Sequence, residues 1–317
     1  MAFMENFRSV IGIEAGTKRL RIIREGKLSF DEPAIISVDK TSHKVSGLGN
    51  SLVEGTGHHV VRPIEFAIKD FEAFELLVKG AIKQLEGKKS WYLRSYKMYM
   101  ILPTDASEVE KRAYRDSAEH ANAVSLYMIY GSIAAGLGMN VLIKKKSFIL
   151  VDFGASKFEV TVFSNAMIRH ERALRLGTDH LELTISNHLY RAYKVKAKED
   201  EIRLLINTYA TDVDLITVQS VNIPMTEIAG IVEHYLWLVE DQFRTCLENI
   251  DPRILTRVLE NGIYLTGGGS LYKNLCIALL DRLDLKYEFS KNPLHDNING
   301  LQQIMASPKD FKEYLLV

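Results

Sequence analysis

The chain has 317 residues, 47% of them hydrophobic and 25% charged, and its 40 basic and 40 acidic side chains give a formal net charge of zero. This length allows two hydrophobic cores, and the composition is ordinary for a globular protein. Balanced charge argues against a large basic surface, so we expect no nucleic-acid partner. Cys246 and Cys276 are too few for a disulfide framework. With no secretory signal visible in residues 1–10, they indicate a cytoplasmic protein.

The first half of the chain mixes strand and helix patterns. Apolar alternation predicts strands at residues 10–13, 20–23, 28–30 and 34–38, and a further strand at 98–102 that Pro103 ends. Helical spacing of apolar residues predicts helices over residues 65–85 and 109–121.

Residues 121–143 contain no charged side chain and are about long enough to span a membrane. However, Gly131, Gly136 and Gly138 interrupt the stretch, and its β-rich beginning changes to small residues. We therefore predict a buried strand followed by a buried helix.

The second half repeats the strand–turn–strand pattern of the N-terminus at residues 148–152 and 158–163. Helices are predicted over residues 178–193 and 198–207, and a long helix after Pro224. A strand at 263–265 meets a triple glycine, which a helix-like segment at 271–283 follows.

Three glycine turns, each after a buried strand, carry most of the functional information. They are Glu14-Ala15-Gly16, Asp152-Phe153-Gly154 and Gly267-Gly268-Gly269. Backbone N–H groups at such turns suit phosphate oxygens, and an acid two residues before the glycine could hold a metal ion through water. Because the acid–spacer–glycine pattern occurs twice, we expect two related halves that contribute to one phosphate-binding site.

Dispersed matches in one order give the chain a family resemblance. Beyond the three turns, the matching segments are Asp31-Glu32-Pro33-Ala34, Val61-Arg62-Pro63-Ile64, Val109-Glu110-Lys111-Arg112-Ala113, Arg175-Leu176-Gly177-Thr178-Asp179 and Asn292-Pro293-Leu294. Through them the sequence resembles the bacterial actin MreB family, within the superfamily of actin, sugar kinases and DnaK-type chaperones.

The resemblance implies an α/β fold of duplicated, actin-like (ribonuclease H-like) domains, with two halves that each carry a small subdomain around a nucleotide cleft. The expected subdomains are IA (1–30, 66–145 and 300–317), IB (31–65), IIA (146–180 and 227–299) and IIB (181–226). ATP or ADP would lie in the cleft. Copies would join head to tail, an interface that yields filaments when it does not close.

The resemblance also assigns the site. The expected nucleotide-binding residues are Gly16, Thr17, Lys18, Arg19, Gly154, Ala155, Ser156, Lys157, Gly177, Arg203, Gly267, Gly268, Gly269 and Ser270. Glu14 and Asp152 would hold Mg²⁺ through water. Glu110 would polarise the attacking water, although Ser107 and Glu110 also read as a capping box, in which Glu110 satisfies a backbone donor.

The departures from the family pattern weaken the case for hydrolysis. Glu14 replaces an aspartate, and Lys18 and Arg19 replace small polar residues. Lys157 stands at a threonine position associated with hydrolysis. In addition, Tyr130-Gly131-Ser132 replaces Glu-Glu-Pro, and Leu205 replaces a glutamate expected near the ribose. We expect at most weak ATPase activity and weak dependence on magnesium.

The N-terminus carries Phe3, Met4 and Phe7 on one helical face. By resemblance, residues 1–8 would dock on the inner face of the membrane, and such a short anchor would need many filament copies. A frayed or core-docked end is the alternative, because Arg8 is the only basic residue there.

The expected function is that of an MreB-like cell-shape protein that forms membrane-associated filaments and contacts a cell-wall or membrane protein. A non-polymerising actin-like adaptor resembling PilM or FtsA, which binds a partner peptide, is the main alternative. A sugar or acetate kinase is a third, disfavoured because no substrate loop or catalytic aspartate set is recognisable.

Overall fold

The computed structural model describes residues 8–42, 44–87 and 94–316. The elements up to the middle of the chain are β1 (Arg8–Ala15), β2 (Arg19–Arg24), β3 (Lys27–Pro33), β4 (Ile36–Asp39), β5 (Val45–Leu48), β6 (His58–Val61), α1 (Phe71–Glu86), β7 (Ser95–Leu102), α2 (Glu108–His120), β8 (Ala123–Tyr130) and α3 (Gly131–Gly138). Those that follow are α4 (Val141–Lys144), β9 (Phe148–Phe153), β10 (Phe158–Ser164), β11 (Met167–Leu174), α5 (Thr178–Tyr193), α6 (Glu199–Thr208), β12 (Leu215–Val218), β13 (Val221–Pro224), α7 (Met225–Glu248), α8 (Pro252–Asn261), β14 (Ile263–Thr266), α9 (Lys273–Leu283), β15 (Tyr287–Phe289) and α10 (Asp296–Ala306).

The chain divides into two compact units. Unit 1 comprises Met1–Val141 and His295–Val317, and unit 2 comprises Leu142–Leu294. The sequence placed the corresponding breaks at 145/146 and 299/300. The four subdomain boundaries stay a prediction.

The two units contain five-stranded sheets of the same topology. In unit 1 the strand order is β3-β2-β1-β7-β8, and in unit 2 it is β11-β10-β9-β14-β15. The first three strands of each unit form an antiparallel meander. The fourth strand pairs in parallel with the first, and the fifth pairs in parallel with the fourth. The predicted repetition of the N-terminal strand–turn–strand pattern is therefore confirmed, and it extends to the whole sheet.

Helix α1 covers one face of the unit 1 sheet. Its side chains Phe74, Leu77 and Val78 are fully buried and belong to the core that the alternating residues of β1 and β7 form. The helix begins at Phe71, later than predicted, because the Asp70 carboxylate accepts the Ala73 N–H at 2.9 Å and so caps the first turn. Ile64 and Ile68 form an isolated β-bridge just before it.

The uncharged stretch forms strand β8 followed by helix α3, as predicted. Helix α3 is buried from Gly131 to Leu137 and packs closely on α10. The contact needs Gly300, where a Cβ would overlap the backbone of Ala134. Within residues 8–42, 44–87 and 94–316, no helix is both long and apolar enough to cross a membrane. The proposed N-terminal anchor, with Phe3, Met4 and Phe7, lies outside the described residues.

Candidate phosphate-binding turns

The first turn closes the β1–β2 hairpin in unit 1. The Gly16 N–H donates to the Arg19 carbonyl at 2.9 Å, and the Thr17 hydroxyl donates to the Glu65 carbonyl at 3.0 Å. A Cβ built on Gly16 would meet only the Arg19 carbonyl oxygen, at 3.5 Å, which is an ordinary contact. Packing within unit 1 therefore gives no reason for glycine at this position.

The charged residues of this hairpin pair with one another across three strands. Arg21 stands directly opposite Glu14 in the β1–β2 register, and Asp31 stands opposite Arg21 on β3. Arg21 Nη1 donates to Glu14 Oε2 at 3.0 Å, and Arg19 Nε donates to Asp31 Oδ1 at 2.8 Å. The predicted phosphate ligand Arg19 is thus held by Asp31.

Glu14 is buried, and burial raises the pKa of its carboxyl group. The charge of Arg21 and the hydrogen bonds from Arg21 and Asn297 oppose that rise. Neither Arg21 nor Asn297 was predicted from the sequence as a partner of Glu14. The signal for Arg21 was available, because Glu14 and Arg21 are placed symmetrically about the Thr17-Lys18 turn of a hairpin, where cross-strand residues face each other.

The second turn closes the β9–β10 hairpin in unit 2 with the same backbone bond. The Gly154 N–H donates to the Lys157 carbonyl at 2.8 Å, and a Cβ on Gly154 would lie 3.3 Å from that oxygen. The first amides of α5 hold the turn, since Thr178 N–H donates to Gly154 and Asp179 N–H to Ala155. A Cβ on Gly177, just before the helix, would overlap the Ala155 carbonyl.

The third turn packs on the second one. Gly267 has φ +80°, and its missing Cβ leaves room for the Asp152 carboxylate and the Phe153 carbonyl. A Cβ on Gly269 would lie 2.5 Å from the Phe153 ring. The fully buried Ser270 donates its hydroxyl to the Gly267 carbonyl at 2.8 Å. Unit 2 therefore brings Asp152, Gly154 and the triple glycine together, and packing alone explains Gly267 and Gly269.

Arg203 on α6 stands in a charged cluster beside this region. It pairs with Glu199, and Tyr272 donates to Glu182 at 2.7 Å nearby. Burial lowers the pKa of Arg203, but the neighbouring charges, Glu199 first, outweigh this and raise it. Leu205 on the same helix is fully buried in the unit 2 core, so its side chain faces away from any ligand at the surface.

Glu110 is the third residue of α2, and it forms the predicted capping box with Ser107. Its Oε2 accepts the Ser107 N–H at 3.0 Å, while the Ser107 hydroxyl accepts the Glu110 N–H at 3.2 Å. The other carboxylate oxygen, Oε1, is buried and has no hydrogen-bond partner. One oxygen thus stabilises the helix end, while the other is enclosed without a hydrogen bond.

The residues present fit a magnesium ion poorly on the unit 1 side. Mg²⁺ binds carboxylates together with substrate phosphates and retained waters, but the Glu14 carboxylate is already in an ion pair with Arg21. In the part of the chain that the structure describes, no group of three His, Cys, Asp or Glu side chains could hold a metal.

The Thr104 hydroxyl donates to Ser132, in the segment that replaces the family's Glu-Glu-Pro, at 2.9 Å. Ser132 is buried, and its backbone N–H donates back to the Thr104 hydroxyl. The Ser132 hydroxyl and N–H are therefore both hydrogen-bonded inside unit 1.

Comparisons with known proteins agree with this architecture. The MreB/Mbl protein family matches the chain over residues 8–313. The cell shape-determining protein Mbl of Bacillus cereus is 24% identical over 312 residues, which cover 91% of this chain and 93% of Mbl. The crystal structure of MreB5 of Spiroplasma citri bound to AMPPNP superimposes with a TM-score of 0.83 at 18% identity, covering 96% of this chain and 98% of that one.

A MamK double helical filament is a further structural relative, with a TM-score of 0.72 at 17% identity and coverage of 95% and 99%. These likenesses confirm the predicted actin-like fold. The match along nearly the whole sequence, together with two sheets of one topology that each begin with a glycine hairpin, shows that the chain belongs to the MreB/Mbl protein family.

Proposed function

We propose that this chain is a cytoskeletal, cell-shape protein that binds ATP or ADP through its glycine turns and assembles head to tail into filaments. The observation that carries the proposal is the pair of matching hairpins, in which an added Cβ would meet only the carbonyl oxygen three residues later. The distance would be 3.5 Å at Gly16, an ordinary contact, and 3.3 Å at Gly154, a tighter one. Glycine at such positions lets a ligand approach the backbone. Family membership and the nucleotide-bound and filamentous relatives support the same conclusion.

Nucleotide binding would act on assembly by favouring the conformation that polymerises, a population shift that requires the nucleotide to bind that conformation more tightly. Because the two surfaces of a head-to-tail interface differ, each added copy presents a new binding surface, and the assembly grows as an open filament.

We further propose that residues 1–8 attach the filament to the inner face of the membrane and that a cell-wall or membrane protein binds its surface.

The decisive experiment is sedimentation and electron microscopy of the purified chain without nucleotide, with ADP and with ATP. We expect polymer that depends on nucleotide. A chain that stays unpolymerised in all three conditions while binding nucleotide would contradict filament formation and favour the adaptor function.

Gly16→Val sharpens the experiment. The added Cβ makes only an ordinary 3.5 Å contact within unit 1, and the branched side chain would fill the space for a phosphate. We therefore expect a folded protein whose affinity for nucleotide falls by at least about tenfold. Gly57→Val is the matched control, because a Cβ at Gly57 meets nothing within 4 Å and Gly57 lies outside the glycine turns. Equal nucleotide affinity of the two variants would contradict the assignment of Gly16.

Hydrolysis is proposed to be weak. Glu110 would have to change conformation to orient a water molecule, because its unpaired Oε1 is buried. In addition, Lys157 replaces the threonine and Glu14 is held by Arg21. We expect phosphate release from ATP to be slow, and Glu110→Gln to lower it further without removing nucleotide binding. Brisk phosphate release by the unmodified chain would contradict this assignment.

A further inference from the structure

We propose that Arg21 takes the place of a metal ion at the first turn, so that nucleotide binding by this chain does not require Mg²⁺. The inference rests on the proposed nucleotide binding and concerns the form of nucleotide that is bound: the anion itself rather than its magnesium complex.

The ion pair between Arg21 and Glu14 is built into the sheet. The two residues face each other across β1 and β2, and their side chains are only 9% and 11% exposed. Arg21 Nε also lies 3.3 Å from Asp31 Oδ1. The guanidinium is thus fixed on both sides and places a cation beside Glu14.

Together with Arg19, these side chains form a row of two acids and two bases whose formal charges cancel. A divalent cation is attracted to a site with excess negative charge and free oxygen acceptors. This row has no excess negative charge, and Arg21 and Asn297 already donate hydrogen bonds to the Glu14 carboxylate. A metal ion placed next to Glu14 would also be repelled by the Arg21 guanidinium.

The corresponding row of unit 2 differs. Asp152 faces Glu159 in the β9–β10 register, and Ala173 follows on β11. Unit 2 thus presents two acids where unit 1 presents a neutral pair. If magnesium strengthens nucleotide binding, Asp152 and Glu159 are the alternative metal ligands. The experiment below distinguishes this outcome from binding without magnesium.

The test measures the affinity of the full chain for a fluorescent ADP analogue in excess Mg²⁺ and in excess EDTA. We expect the unmodified chain to bind equally well, or more weakly, in magnesium. Arg21→Gln frees Glu14, so this variant should bind more tightly in magnesium by about fivefold or more. The double variant Glu14→Gln/Arg21→Gln should lose that response.

Arg24→Gln is the matched control, because Arg24 lies on the same strand but pairs with Glu25 and Glu86. It should behave like the unmodified chain. Magnesium that tightens binding to the unmodified chain by more than about threefold would overturn the inference and assign the metal to unit 2. An Arg21→Gln variant that folds and binds without any response to magnesium would overturn it as well.

The measurement on the unmodified chain does not depend on the stability of any variant. It also separates this inference from the proposed function. Binding that magnesium strengthens leaves the proposed function intact, whereas absence of nucleotide binding in both buffers removes the proposed function and the inference together.

Discussion

The hairpin around Gly16 and the hairpin around Gly154 have the same backbone and different charges. In each, the glycine N–H bonds to the carbonyl three residues later, and an acid lies two residues before the glycine. Opposite that acid, unit 1 has Arg21 and unit 2 has Glu159. Backbone hydrogen bonds keep the shape of the turn, whereas a single cross-strand residue changes the charge that stands opposite the acid. Similar loops can therefore have different ligand chemistry.

The same comparison separates two kinds of glycine. Gly16 and Gly154 have no backbone or side-chain neighbour closer than 3.3 Å to an added Cβ, whereas Gly267 and Gly269 are required by contact with Asp152 and Phe153. The triple glycine is the most conspicuous signature in the sequence, yet packing accounts for two of its members. The less conspicuous single glycines are the better candidates for contact with a ligand.

Arg21→Leu gives the largest expected effect. It leaves the Glu14 carboxylate buried without its counter-ion, so we expect the free energy of unfolding to fall by about 3–5 kcal/mol, measured by urea denaturation. The double variant Glu14→Gln/Arg21→Leu should recover most of this loss. In unit 2, Glu159→Gln removes a negative charge that stands opposite Asp152, so we expect a smaller loss than that of Arg21→Leu. A similar loss in Glu159→Gln and Arg21→Leu would contradict the electrostatic difference between the hairpins.

Gly269→Ala tests the packing of the third turn. Its Cβ would lie 2.5 Å from the Phe153 ring, so we expect a loss of about 1–3 kcal/mol in the free energy of unfolding. Gly16→Ala has only a 3.5 Å contact and should stay within about 0.5 kcal/mol of the unmodified chain. Thermal or urea unfolding of the pair checks both values. Equal losses of stability would contradict the conclusion that packing requires glycine at position 269 but not at position 16.

Asp31 on β3 and Ala173 on β11 occupy corresponding positions in the two sheets. Since only Asp31 can ionise, we expect a contribution to the pH dependence of stability at this position in unit 1 and none in unit 2. Burial alone would raise the pKa of Asp31, but the Arg19 hydrogen bond and the Arg21 and Arg19 charges lower it below its ordinary value of 3.8. An acid with a lowered pKa stabilises the fold above its unfolded pKa and loses that contribution as the pH falls through its folded pKa.

We therefore expect Asp31→Asn to cost about 1 kcal/mol at neutral pH, a modest value for a partly exposed ion pair. The difference from the unmodified chain should close as the pH is lowered below 3.8, as urea midpoints at several pH values would measure. A difference that stays constant with pH would mean that the aspartate charge contributes nothing.

The sequence by itself determined the local features of this protein. Most strands, the Ser107–Glu110 capping box and the strand–helix interpretation of residues 121–143 were predictable, because each depends on neighbours a few residues away. The duplicated hairpins were visible for the same reason. Strands β11, β13 and β15 and helices α8 and α10 were not predicted. Helix α10 is short, and it packs on α3, more than 150 residues earlier in the chain.

Only the tertiary structure decided what the site residues touch. The seven-residue spacing of Glu14 and Arg21 permitted an ion pair, but strand register and burial made it, and Asn297 reaches Glu14 from the other end of the chain. Likewise, the sequence predicts that Gly267 and Gly269 bind a ligand. In the structure β14 pairs with β9, which places both glycines against Phe153. Local sequence sets the backbone conformation. Long-range strand pairing determines which charged side chains form ion pairs and at which glycines neighbouring atoms leave no room for a Cβ.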